Sequence, residues 1–172
     1  KYQFNLNKKN IIFFILMKNN YRIDIILPVY NCKNFIVDCL RSIINQTYKN
    51  WKILIVDDNS IDGTRKLIID FINDNVNKKK FIFIKNKKNK GQNFSRNLAL
   101  KLSNSKYVAF IDSDDLWEEN KLEVQVKYMS ENGYSFTFSD YKSIKKDKIK
   151  KIETPNFFNY ENFIKNTSIA TS

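Results

Sequence analysis

WKILIVDDNS, residues 51–60, is the stretch whose reading decides the fold. Trp51–Val56 is a largely apolar, β-branched run, too short for a stable helix and suited to a strand buried on both faces. It stops abruptly at Asp57, Asp58, Asn59 and Ser60, residue types that favour turns and helix starts. Such a strand, ending in acid, belongs to an α/β unit whose polar chemistry gathers at the carboxyl end of the sheet.

Working outward, the same alternation continues on both sides. Upstream, Ile23–Tyr30 (IDIILPVY) reads as a buried parallel strand closed by Pro28. Phe35, Ile36, Cys39, Leu40, Ile43 and Ile44 then recur at helical spacing, which predicts a helix over 34–46. Downstream, Leu67, Ile68, Phe71 and Ile72 mark a second helix, and Phe81–Ile84 a third strand. Gly91 opens a third helix through Leu102, and Tyr107–Ile111 is a fourth strand. A helix over 118–130 follows, and the alternation of Tyr134–Ser139 predicts a strand with one polar face. Beyond Lys142 the pattern weakens. The βαβαβαβ order predicts an α/β fold with a mostly parallel central sheet and right-handed crossovers.

Composition narrows the function. A chain of 172 residues holds one domain with a real core. With no histidine, His-based triads and most zinc sites are excluded. Cys32 and Cys39 lie about 10 Å apart along a helix axis, too far to bridge, so the chain reads as reduced and intracellular. The net charge of +12 is mostly lysine, and only four of thirty cations are arginine, the residue favoured for reading phosphates and base edges. Lysine peaks at Lys78–Lys90 and Lys142–Lys151, between predicted elements. Solvated loops explain this first, attraction to an anionic membrane surface second, and nucleic acid last. The run Ile11–Met17 falls far short of the roughly 20 residues that span a bilayer. Met17 is a plausible natural start, so residues 1–20 are expected to be an extension outside the fold.

Three of the four strand ends carry polar clusters: Pro28-Val29-Tyr30-Asn31, Asp57-Asp58-Asn59-Ser60 and Asp112-Ser113-Asp114-Asp115. Helix capping would account for Asn59-Ser60, or for Asp115 taken singly. Five carboxylates on one sheet edge are costly unless a cation sits among them, which suggests a divalent metal. Aspartates without His or Cys are hard oxygen ligands, suited to Mg2+ or Mn2+, ions that complete their shells with water and phosphate. Neither GxGxxG nor GxxxxGK[ST] occurs, which argues against a dinucleotide-binding dehydrogenase or a P-loop NTPase. KILIVDDN also fits the first strand of a response-regulator receiver. A receiver needs a lone aspartate near Ser103, and none is there.

Taken in order, Pro28–Asn31, Ser42-Ile43-Ile44-Asn45-Gln46-Thr47-Tyr48, Val56–Thr64 (VDDNSIDGT), Lys90–Asn97 (KGQNFSRN) and Phe110–Asp115 (FIDSDD) resemble family 2 glycosyltransferases. These are inverting, nucleotide-sugar-dependent enzymes of the GT-A fold, a Rossmann-like three-layer α/β/α arrangement. The likeness spans about residues 22–141. It implies a nucleotide-sugar-binding domain over 21–141, with 142–172 the start of an acceptor-side region.

By position, the resemblance implies that Pro28, Val29, Tyr30 and Asn31 line the nucleotide pocket, with Tyr30 against the base; packing is the competing role for this tyrosine. Asp58 would accept from an imide N–H of uracil or thymine, unless it merely caps a helix. Arg96 would approach the diphosphate or the acidic cluster, unless it lies on an exposed helix face. Asp112 and Ser113 would face the donor. Asp114, with Asp112 in the DxD motif, would hold Mn2+ or Mg2+. The expected donor is a UDP-sugar, and the expected acceptor a glycan or lipid-linked sugar of bacterial surface polysaccharide synthesis. The expected location is cytoplasmic, with peripheral contact to an anionic membrane and no nucleic acid partner. An inverting displacement needs a carboxylate base. The resemblance puts it beyond Ser172, with Asp140 the nearest candidate inside the sequence. A non-catalytic nucleotide-sugar-binding portion of such an enzyme stays open as the alternative.

Overall fold

The computed structural model describes residues 21–145 and 148–154; the expectations for residues 1–20 and for the stretch from 155 onward lie outside them. Strands β1 (Ile23–Val29), β2 (Trp51–Asp57), β3 (Phe81–Lys85) and β4 (Tyr107–Phe110) form one parallel sheet in the order β3-β2-β1-β4. β1 pairs with β2 along its whole length, Ile23 opposite Trp51 through Val29 opposite Asp57. Its pairing with β4 is shorter and ends at Ile26 opposite Phe110.

The sheet is buried on two faces because its strands are apolar at both alternations. On one face Ile23, Ile25, Leu27 and Val29 of β1 join Ile53 and Ile55 of β2. Against them pack Ile36, Cys39, Leu40 and Ile43 of α1 (Ile36–Ile44) and Ile68 of α2 (Thr64–Asp74). On the other face Ile26, Leu54 and Val56 meet Ala99 of α3 (Gln92–Leu102). The expected three layers are therefore present, each core Ile or Leu contributing about 1.5–3 kcal/mol by leaving water. The fourth helix, α4 (Lys121–Asn132), anchors through buried Leu122 and ends at Gly133, whose φ of 68° is the left-handed helix stop that glycine adopts without strain.

One expectation changes. Tyr134–Ser139 belongs to neither sheet formed by the described residues, and Tyr134 and Phe136 stay half exposed or more. Alternation makes a strand only where a partner backbone is within reach. The chain instead forms an antiparallel hairpin from β5 (Tyr141–Lys145) and β6 (Lys148–Ile152).

Candidate active site at the parting of two strands

Connections leave β1 toward β2 and β3 on one side, while β4 lies on the other. That reversal of strand order is where open α/β sheets leave a crevice beyond the carboxyl ends of the strands. Pro28 opens it. The odd residues of β1 bond toward β2, as when the Val29 carbonyl accepts from the Asp58 N–H at 2.8 Å. The even ones bond toward β4, as when the Ile26 carbonyl accepts from the Ile111 N–H at 3.2 Å. Pro28 is the next even residue and has no N–H to offer, so the β1–β4 ladder has no donor with which to continue. The side chains of Pro28 and Val29 are buried in the sheet, whereas Tyr30, 49% exposed, and Asn31 reach solvent.

The loops after β1 and β2 are stitched to each other by short polar side chains. The Asn31 N–H donates to Ser60 Oγ at 3.0 Å, and Asn31 Oδ1 accepts from the Ile61 N–H at 2.9 Å. Asn31 and Asn59 both have positive φ, 47° and 67°, a conformation asparagine tolerates better than other side chains. The Cys32 N–H donates to Thr64 Oγ1 at 2.9 Å and the Lys33 N–H to Asp62 Oδ2 at 3.1 Å. Asn59 and Ser60 do not cap α2, which starts four residues beyond Ser60 with Gly63 at the cap position. Asp62 takes over the local turn, accepting from both the N–H and the hydroxyl of Thr64.

The acidic edge is largely neutralised from within. Fully buried Asp57 accepts from Arg65 Nε at 2.7 Å and from the Ser60 N–H at 2.9 Å. Asp58, 2% exposed, accepts from Asn86 Nδ2 at 2.7 Å, the Gly91 N–H at 2.7 Å and the Lys90 N–H at 3.0 Å. Asp58 thereby holds the β3–α3 loop, and Gly91, at φ 87°, gives that loop its turn into α3. Asp112 accepts from Arg96 Nη2 at 2.5 Å and from Gln92 Nε2 at 3.0 Å, both on α3. Arg96, with only 16% of its side chain exposed, thus lies against the acidic cluster and not on an open helix face. Arg65 and Arg96 offset two of the five charges, those of Asp57 and Asp112.

Asp114 is different. It lies exposed at the end of the β4 loop, one turn away from the Asp112–Arg96 pair. No group of three His, Cys, Asp or Glu that could hold a metal exists among the described residues. Mg2+ and Mn2+ do not need one, since they bind through one or two carboxylates and take their remaining ligands from phosphates and water. An exposed Asp114 fits that donor set. Asp115 does not cap α4; its N–H closes a turn onto the Asp112 carbonyl at 3.1 Å.

Two thiols floor the crevice. Cys39 Sγ donates to the Asp112 carbonyl at 3.6 Å, and burial pushes this thiol far above its ordinary range. Burial also raises the Cys32 thiol, against hydrogen bonds from Ser113 and Thr64 and with repulsion from Asp62 and Asp114. Both stay protonated at neutral pH. Ser113, Asp114 and the β1–α1 loop are therefore close together.

Some positioning residues carried no chemical signal of their own. Gln46, fully buried, donates from Nε2 to the Ser42 and Glu118 carbonyls and accepts at Oε1 from the Leu122 N–H. Ser42 Oγ accepts from the Trp117 N–H at 3.2 Å. The end of α1 thus holds the segment that follows Asp112–Asp115. Asn86 and Arg65 lie outside every motif quoted above, Gln92 stands in one without a role of its own, and none could be assigned its part without knowing which loops meet. Asp140 sits elsewhere: its carboxylate accepts from the N–H and hydroxyl of Thr154, at 2.9 and 3.0 Å, and closes the foot of the β5–β6 hairpin. Those two bonds and Lys151 hold the carboxyl below its usual range.

Comparison with known proteins is consistent with this geometry. The chain is 36% identical to the UDP-Glc:alpha-D-GlcNAc-diphosphoundecaprenol beta-1,3-glucosyltransferase WfgD of Escherichia coli, over 88% of this chain and 58% of that one. It is 34% identical to the putative teichuronic acid biosynthesis glycosyltransferase TuaG of Bacillus subtilis, over 86% of this chain and 59% of that one. It thus spans somewhat less than two thirds of these relatives. Among solved structures, S. aureus TarS 1–349 in complex with UDP superposes with a TM-score of 0.58 and 26% identity, over 65% of this chain and 33% of that one. The mannosyltransferase PcManGT of Pyrobaculum calidifontis, in complex with GDP-Man and Mn2+, shares the fold at a TM-score of 0.59 and 24% identity, over 64% of this chain and 32% of that one. The mostly parallel sheet with helices on both faces accords with the GT-A fold of these neighbours. The model of the family described as glycosyl transferase family 2 matches residues 24–171, and the chain belongs to that family.

Proposed function

We propose that the crevice between β1 and β4 binds the nucleoside diphosphate of a sugar donor, a UDP-sugar in the first instance, and serves transfer to a lipid-linked or glycan acceptor. One observation carries the reading: at an edge where Asp57, Asp58 and Asp112 are held by internal donors, Asp114 is left exposed beside the topological switch point. Tyr30, half exposed at the end of β1, offers a ring on which a base can stack, a contact worth about 1–3 kcal/mol. Asp58, held against the Lys90 and Gly91 N–H groups, fixes the loop that borders the base. Both its oxygens already accept from Asn86, Lys90 and Gly91, so Asp58 would favour uracil, whose imide N–H adenine lacks, through the position of that loop. Asp112, oriented by Arg96 and Gln92, faces the ribose, with Ser113 beside it. Pro28, Val29 and Asn31 shape the opposite wall. Asp114 would hold a Mg2+ or Mn2+ ion, whose Lewis acidity stabilises a departing diphosphate when bound. The relatives named for lipid-linked and teichuronic acid synthesis support an acceptor at the bacterial envelope and a protein working beside a membrane. Asp140 is engaged at the hairpin foot, and the transfer base is not assigned to it.

Calorimetry with UDP and Mn2+ tests the reading. Metal-dependent UDP binding is expected, with weaker ADP binding, and Asp114→Ala should abolish the metal dependence in a folded protein. Unchanged UDP affinity in that variant would remove Asp114 from the site, and equal UDP and ADP affinity would remove Asp58 from base selection.

A further inference from the structure

We infer that the β5–β6 hairpin is a docking element for an anionic lipid surface. Cross-strand partners in an antiparallel pair share a face, so the register places Ile144 with Ile149 and, beside them, Lys142 with Lys151. Ile144 and Ile149 are 67% and 68% exposed, and together they form an apolar patch on one face of a two-stranded element, next to its turn. Such an isolated hairpin gains nothing in water from two exposed isoleucines. Residues 141–152 carry six lysines against one aspartate, and Lys148 and Lys150 lie exposed on β6.

An apolar patch with Lys142 and Lys151 on its own face, and with Lys148 and Lys150 on the other face of the same thin hairpin, is complementary to a bilayer with anionic headgroups, where lysine stems and ammonium groups lie at the interface. Some of the lysines have local partners: Lys142 pairs with Glu118 at 2.8 Å, and Lys151 with Glu153 at 3.0 Å and Asp140 at 3.5 Å. These pairs are solvent-exposed and weak, so they do not cancel the attraction.

The placement also suits the crevice. The Lys142–Glu118 pair, and the bond from Lys121 Nζ to Ser139 Oγ at 3.3 Å, tie this region to the segment that follows Asp114. Docking of the hairpin would therefore bring the crevice's β4 side toward the lipid. The inference rests on the proposed function only for choosing a membrane as partner. No helix among the described residues is long and apolar enough to cross one, so contact through them would be from the surface.

The test is sedimentation of the chain with phosphatidylglycerol–phosphatidylethanolamine vesicles, with pure phosphatidylcholine vesicles as control and UDP affinity measured in parallel. Binding to the anionic vesicles alone is expected, weakening with salt. I144S/I149S should lower it by about tenfold or more, from loss of apolar insertion. K148Q/K150Q should lower it by about tenfold, from loss of two interfacial charges. UDP affinity should be unchanged in both. Vesicle binding without UDP binding would leave the docking element standing and overturn the donor reading. Vesicle binding unaffected by either variant, or equal on phosphatidylcholine, would overturn the inference. So would self-association abolished by I144S/I149S, which would assign the patch to a second copy of the chain.

Discussion

The two ends of the parallel sheet both bury carboxylates, yet they treat them differently. At the amino end Asp24, 2% exposed, accepts from Arg22 Nε at 3.1 Å, Ser103 Oγ at 2.8 Å and the Asn104 N–H at 3.2 Å. Arg22 also donates to Ser105 Oγ and to the Asn104 side chain. Every partner belongs to the start of β1 or to the turn between α3 and β4, so the cluster closes on itself. At the carboxyl end Asp57, Asp58 and Asp112 are held in the same manner, but their partners come from several loops, and Asp114 remains in water. Acidity alone therefore does not mark a site. An edge becomes one where internal donors satisfy most of the acids, fix their loops, and leave one carboxylate unburied.

Substitutions at both ends would break or sharpen that contrast, and they rank by how completely each carboxylate is enclosed. Asp57→Ala should cost most, about 3 kcal/mol in chemical denaturation, because it strands Arg65 beside a fully buried cavity. Asp58→Asn should cost about 2 kcal/mol, since an amide cannot accept from both the Lys90 and Gly91 N–H groups without turning its NH2 toward a donor. A neutral outcome there would mean that the β3–α3 loop is held by other contacts.

Asp24→Asn should cost about 1.5 kcal/mol and carries a pH signature. Burial opposes the charge of Asp24, but the bonds from Ser105, Ser103 and the Asn104 N–H, together with Arg22, outweigh it and hold the carboxyl below its usual range. A carboxyl depressed in the folded state stabilises above its unfolded value, and that contribution fades as pH falls from there through the folded value. Acid titration of stability should therefore be shallower in Asp24→Asn than in the wild type below about pH 4. Equal slopes would remove Asp24 from the acid-sensitive set. Asp114→Ala should cost least, within about 0.5 kcal/mol. A loss as large as that at Asp58 would erase the distinction between held and spare carboxylates.

The strand ends and the layer order were legible in the sequence because they rest on local periodicity and on a few sharp polar boundaries. Trp51–Val56 and Ile23–Tyr30 each came within one residue of their strands. The stitched loops were not legible. Asn31 meets Ser60 and Ile61 across about thirty residues of chain, Gln46 meets Leu122 across 76, and Arg96 meets Asp112 by way of α3. Carboxylate crowding was legible only as a total, since the sequence does not display which acids the arginines fold onto. Tyr134–Ser139 misled for a related reason: its alternation is genuine, but alternation alone does not say which sheet a segment joins.

Pro28 has a consequence for the thermodynamics of binding. The parting of β1 from β4 is maintained by a missing backbone donor, which no side-chain rearrangement can supply. A ligand entering there meets an opening that already exists, so its arrival displaces water and separates no strands. Contact energy is then not spent on conformational work, which is the advantage of a preorganised site. Association of a nucleotide with this crevice should accordingly be a single step whose rate follows diffusion and charge rather than an opening event.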